Sequence, residues 1–340
     1  MTRSSAYQPW LHRFAVLTAS GTFLLVLAGG LVTSTDSGLA VPDWPLSYGQ
    51  LMPPMVGGIF YEHGHRMIAT FVGFLTLVLT VWIARKEERT WVRALAFIAT
   101  AAVITQGVLG GLTVLFLLPT PISVAHATLA QTFFSLTIVL AMVTSRAWRE
   151  TAPVMDAGNG NVRRTALLAT SALYVQLILG AWMRHSAAGL AIPDFPLSYG
   201  GLLPPTGSDA GAMITALRLQ LYDLAPVTPA QVWIHFAHRA WAVVTCCAVF
   251  WFGLRILRST AHDRRLREPA LVMMCLVLVQ FLLGALTVWT GKGVQIATAH
   301  VATGALLLGT SVFLTVRVYS QLGVPSAAAA RAPQPLPARS

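Results

Sequence analysis

Charge is scarce in this chain. Of its 340 residues only 10% are charged, with 12 acidic side chains against 23 basic ones. So little charge cannot clothe a water-soluble domain, whereas 55% hydrophobic residues and a mean hydropathy of +0.66 suit a bilayer. Cysteine is scarcer still. Cys246, Cys247 and Cys275 all fall within apolar runs without a CxxC spacing, so they supply neither an external disulfide nor a zinc site. A continuous basic face is also missing, because the arginines are divided among short segments. The net charge of +11 therefore does not indicate a nucleic-acid partner. No convincing small-residue cleavage site follows the first apolar run, which is expected to remain as a span.

What the chain does have is eight apolar runs of about 20 residues, at roughly 13–33, 62–84, 93–117, 122–144, 165–184, 232–256, 269–290 and 295–317. Basic residues gather in alternate connections: Arg85, Lys86, Arg89 and Arg93; Arg146, Arg149, Arg163 and Arg164; Arg255, Arg258, Arg264, Arg265 and Arg267. Positive charge accumulates on the cytoplasmic side, so these connections are expected inside. The others carry little beyond Arg184, Arg218 and Lys292 and are expected outside, with both termini cytoplasmic. The segment 321–340, rich in Ala and Pro, reads as a disordered cytoplasmic tail. The short stretch before the first span favours a bacterial cytoplasmic membrane over a mitochondrial one.

The chain is also duplicated. Residues 38–49 read GLAVPDWPLSYG and residues 189–200 read GLAIPDFPLSYG, and Pro53-Pro54 returns as Pro204-Pro205. Gln106, Gly110 and Leu112-Thr113-Val114 recur as Gln280, Gly284 and Leu286-Thr287-Val288. Each copy contains four runs, so the second enters with the orientation of the first. The fold class expected is an all-α integral membrane protein of eight transmembrane helices, in two tandem, parallel-oriented four-helix bundles. The bundles cover 13–144 and 165–318. They are joined by a basic cytoplasmic linker, 145–164, where residues 156–160 break the helical pattern.

Each copy keeps two histidines in register. His65-Arg66 and His126 in the first correspond to His238-Arg239 and His300 in the second. All four lie three to seven residues from the outer end of an even-numbered run, at most roughly 10 Å deep at about 1.5 Å per residue. A lone histidine near a helix end is ordinarily interfacial. Four at matched depth and spacing point instead to two ligand pairs, each able to clamp a haem iron between facing helices. Zinc is the other metal open to them, though separate helices without thiolates suit haem better. His12, His185 and His262 lack repeat partners and read as surface residues. His63 and His235 are left open.

One difference between the copies falls beside the repeated histidines. Glu62 stands three residues before His65, where the second copy has His235 three before His238, and residues three apart share a helix face. A carboxylate beside a metal ligand can accept protons, although a helix N-terminus also attracts one. Arg66 and Arg239 are candidates for propionate contacts or for interfacial snorkelling. The loops are too rich in proline for helix. Trp44 and Phe195 within them are candidates for packing on a haem edge or for anchoring at the interface.

With these residues the chain resembles the haem A synthase family, over about residues 13–318. The resemblance implies oxidation of the C8 methyl group of haem O to a formyl group by two successive hydroxylations and loss of water. It implies that His238 and His300 ligate a resident haem b, that His65 and His126 face substrate haem O, and that Glu62 is catalytic. Haem O synthase (protohaem farnesyltransferase), terminal cytochrome oxidase assembly and a membrane electron acceptor are the implied partners, and a homo-oligomer is compatible. Many bacterial relatives carry an outer-loop cysteine pair, so this chain resembles the cysteine-free branch. A di-haem b, quinol-linked electron carrier is the rival reading of four histidines, and a transporter is favoured by the duplication alone.

Overall fold

In the lipid interior a backbone has no water to bond, so an apolar run satisfies its own N–H and C=O groups by becoming helix. The computed structural model describes residues 7–150, 160–259 and 264–321. Among them are ten helices and no strand: α1 (Pro9–Ser34), α2 (Gly58–Lys86), α3 (Thr90–Leu115), α4 (Thr120–Thr144), α5 (Arg146–Glu150), α6 (Gly160–His185), α7 (Ala210–Leu221), α8 (Pro229–Ser259), α9 (Arg264–Trp289) and α10 (Val294–Gln321). Eight are long and apolar enough to span, in the order expected from the sequence, and the chain is a multi-pass membrane protein. The two short helices, α5 and α7, were not foreseen. The tail after 321 and residues 156–159 of the expected helix break lie outside the described residues, whereas Gly160, the last residue of that break, begins α6.

Local chemistry reinforces the spans. Thr18, Thr22 and Thr76 each return the hydroxyl to the carbonyl four residues back, at 2.8–2.9 Å, so a polar side chain crosses lipid without an unmet donor. Arg85 and Lys86 occupy the last turn of α2, where the helix dipole favours cations.

Helices α1–α2–α3–α4 contact one another in a closed ring, and α6–α8–α9–α10 form a second. Thus α2 and α4 stand at opposite corners of the first ring, α8 and α10 at opposite corners of the second. The rings meet along α1 and α4 against α6 and α10. Small residues allow that approach: a methyl group on Gly30 would lie 3.4 Å from Val301, and one on Gly309 would overlap Ile138. Each ring has its own apolar core, and Phe313 of α10 packs on both.

At the basic-loop end an ion cluster fastens the first ring. Glu87 is buried and paired with Arg89 at 2.8 Å and Arg149 at 2.6 Å, while Arg89 also donates to Val143 O at 2.8 Å. Burial alone would raise the Glu87 carboxyl, but hydrogen bonds and charge from Arg89, with charge from Arg149, hold it down to about 2.

Candidate active site

Both proline-rich loops fold around an aspartate. Asp43 accepts from the N–H groups of Tyr48 and Gly49 at 2.6 and 2.8 Å, and Asp194 does the same for Tyr199 and Gly200 at 2.8 Å each. These bonds, the Gly49 one foremost, hold the Asp43 carboxyl below its usual range. Gly49 and Gly200 have φ of 69° and 80°, which side chains rarely adopt, so glycine ends each turn. Tyr48 then donates to Ala40 O at 2.8 Å, and Tyr199 bonds Ala191 O in the same way.

Each loop is fastened to the helix that follows it at one node. In the first half Glu62 is 4% exposed. Its Oε2 accepts from Val41 N–H at 2.8 Å and its Oε1 accepts from Arg66 Nη2 at 2.6 Å. Arg66 Nη1 reaches Asp43 O and Leu46 O at 2.8 and 3.0 Å. In the second half His235 stands in the carboxylate's place, with Nδ1 3.1 Å from Ile192 N and Nε2 3.0 Å from Arg239 Nε. Arg239 donates to Asp194 O and Ile192 O at 2.7 and 3.0 Å. A carboxylate accepts both of its bonds together, whereas a neutral imidazole has one acceptor nitrogen and makes one of the two at a time. Arg66 and Arg239, candidates for propionate contacts or for snorkelling, thus bond the loops.

The four repeated histidines occupy the diagonal helices, at the loop end of each ring. His65 on α2 stands opposite His126 on α4, and His238 on α8 opposite His300 on α10. Each ring rests against a glycine of an adjacent helix. Methyl groups on Gly29, Gly110, Gly180 and Gly284 would lie 3.2, 3.3, 3.0 and 3.2 Å from Cε1 of His65, His126, His238 and His300. Added bulk at those seats would push the imidazoles toward the bundle axis. Gly29 and Gly180 recur in the repeat as Gly110 and Gly284 do, a signal the sequence contained and the histidines overshadowed.

Buried polar atoms ordinarily find partners. Nδ1 of His65, His126 and His300 are buried and make no hydrogen bond of ordinary geometry among the described residues, although the backbones of Leu25, Gln106 and Gln280 lie within interaction reach of the respective rings. Two imidazoles facing each other across a bundle, with glycine behind each ring, would suit holding a haem iron between them. The two sites differ in their margins. The Gln176 amide nitrogen lies 3.3 Å from both ring nitrogens of His238, and that of Gln280 lies 3.4 Å from His300 Nε2. Gln106 repeats Gln280, but Leu25 replaces Gln176.

Trp44 packs flat on α3, so closely that a methyl group on Gly111 would come within 2.6 Å of the indole. The first loop thus packs on α3, the helix whose Gly110 seats His126. Phe195 meets Phe281 and Trp289 edge to face at 5.8 and 5.9 Å, with the Arg239 guanidinium 5.4 Å above it. Two histidines expected at the surface are instead half-buried. His12 bonds Ala141 O at 3.0 Å, and the backbone carbonyl of His185 accepts from Thr120 at 3.0 Å, because both sit where helices pack. His262 lies outside the described residues. Unforeseen as well is Arg218 of α7, buried and bonded to Leu190 O and Ala225 O at 2.7 Å each, which braces the second loop alone.

A family model described as COX15-CtaA, cytochrome oxidase assembly protein, matches residues 12–58 and 55–312. The chain belongs to this family. Proteins similar to it include several named heme A synthase. That of Halalkalibacterium halodurans is 25% identical over 314 residues, covering 90% of this chain and 97% of the relative. That of Symbiobacterium thermophilum is 30% identical over 285 residues, covering 81% and 85%. That of Shouchella clausii is 31% identical over 251 residues, covering 70% and 80%.

Proposed function

We propose that this chain is a haem A synthase, an oxidoreductase that converts the C8 methyl group of haem O to a formyl group. The observation that carries the reading is the duplicated histidine pair in which only the first copy has a carboxylate, Glu62, at the loop node. The first bundle, 13–144, holds substrate haem O between His65 and His126. The second, 165–318, holds a resident haem b between His238 and His300, which supplies one-electron chemistry when bound. Both sites lie near the outer membrane face, with the basic loops and termini cytoplasmic.

The work of the chain's own residues follows from the site. His65 and His126 fix the substrate macrocycle, and the glycines behind them set its depth. Glu62, on the helix face of His65, accepts a proton as the methyl group is oxidised. With water as the oxygen donor, two successive hydroxylations and loss of one water balance as R–CH3 + H2O → R–CHO + 4 H+ + 4 e−, the four electrons passing to a membrane electron acceptor. Arg66 and Arg239, already bonded to the loops, stand where propionates would reach the bundle mouth, and Trp44 and Phe195 lie beside each haem edge. Haem O synthase provides the substrate, and terminal oxidase assembly receives the product.

One observation favours a second reading, a di-haem b electron carrier: Glu62 and His235 do the same loop-fastening work, which needs no chemistry. Pigment extraction from membranes that express the chain with a haem O supply separates the two. A formyl-bearing haem is expected, and haem b alone would select the carrier. Glu62→Gln should keep the resident haem and abolish the formyl product; normal product from that variant removes Glu62 from the chemistry.

A further inference from the structure

Beside the first histidine pair lies a buried polar contact that the second half does not repeat. His63 is 6% exposed, and its Nδ1 lies 2.8 Å from Ser47 Oγ. The same hydroxyl lies 3.4 Å from Arg66 Nη1, and Arg66 Nη2 donates to Glu62 Oε1. A hydroxyl accepts and donates at once, so Ser47 can accept from Arg66 while donating to His63, and the same guanidinium donates through its other amino group to the carboxylate. In the second half Ser198 is retained, but the residue equivalent to His63 is Phe236.

Packing does not account for His63. Its Nε2 is buried without a partner among the described residues, a costly state that a phenylalanine avoids. A polar side chain kept in such a place is expected where a site requires it. Loss of the Ser47 contact would not release the loop, because Arg66 Nη1 would keep Asp43 O and Leu46 O. It would change how the guanidinium sits between loop and carboxylate, and so where the Glu62 oxygens lie.

We infer that His63 is a positioning residue of the first site, holding Arg66 through Ser47 and thereby setting the orientation of Glu62. The inference rests on the synthase reading and names the part that makes the first half more than a haem holder. It acts through hydrogen bonds and needs no change of charge on His63.

The test uses the full chain with haem O as substrate, comparing His63→Phe, His63→Asn and Ser47→Ala. Asparagine places an amide where Nδ1 stood and can restore the bond to Ser47. His63→Phe and Ser47→Ala should lower kcat for formyl-haem formation roughly ten-fold, with KM for haem O changed less than about two-fold, and His63→Asn should recover most of the loss. Unchanged kcat in His63→Phe overturns the assignment. So does a loss that asparagine fails to restore, or disappearance of the second-half haem spectrum in His63→Phe, since each marks a purely structural role. If the unaltered chain forms no formyl haem, the synthase reading itself fails and this inference falls with it.

Discussion

The two halves hold their histidines by one plan and fasten their loops by two. Both place an imidazole on each diagonal helix with a glycine behind it, and both fold a loop around an aspartate that caps Tyr-Gly N–H groups. At the node between loop and helix they part. The first half uses a carboxylate that makes both bonds and adds the buried Ser47–His63 contact. The second uses an imidazole, adds Gln176 beside its histidine and brings in Arg218 of α7 as a brace. On the proposed reading, what is common belongs to holding a macrocycle, and what differs assigns each half its own work. The first half concentrates ionisable groups around one corner of the site. The second surrounds its pair with neutral amides and aromatic rings.

The comparison breaks most readily at the ligands. His238→Ala or His300→Ala should eliminate the resident haem b, read from the reduced-minus-oxidised spectrum of the purified protein, while His65→Ala should leave that spectrum in place. An unchanged spectrum in His238→Ala would show that the halves have been assigned the wrong way round. Exchange of the node residues sharpens the contrast further. Glu62→His installs the second half's fastening in the first, so the loop should stay seated and the chain should stay folded while formyl-haem output is lost. His235→Glu should hold the second loop more firmly, because a carboxylate satisfies both donors. Limited proteolysis of the two loops measures the seating, and greater cleavage in His235→Glu would contradict it.

The smallest effect concerns the opposite end of the first ring. The Glu87 carboxyl is held at about 2, below its ordinary 4.5, so its ion cluster contributes stability that is complete above about 4.5 and lost as pH falls toward about 2. Thermal melts in detergent should show Glu87→Gln less stable than the unaltered chain at neutral pH, with the gap narrowing through that window. A gap that stayed constant down to about pH 3 would mean that the cluster is not set by this ionisation.

The spans were legible because hydropathy is a property of a run of residues and lipid forces each run into helix. The histidine pairs were legible because the repeat aligns them without a structure. The nodes were not: Glu62 and His235 sit at equivalent positions, but their shared partners, Val41 N–H and Ile192 N–H, lie in loops whose approach to the helix no spacing reveals. Helix α7 escaped notice because its 12 residues are too few to stand out as a span, though Arg218 gives it a defined place. His12 and His185 seemed exposed because they fall at helix ends, and helix ends here are where neighbouring helices meet.

One contact at the seam between the rings carries a consequence for how such a chain arises. Arg184, at the end of α6, bonds the carbonyl of Thr33, at the end of α1, and lies 3.6 Å from Asp36. Positions 33 and 184 are counterparts in the repeat, so a residue here meets its own image and marks the pseudo-two-fold axis. A dimer of identical subunits must place the same side chain on both sides of its axis, two threonines or two arginines. Joining the copies in one polypeptide lifts that restriction: the axis can carry a donor facing an acceptor, and the two halves are then free to become different machines.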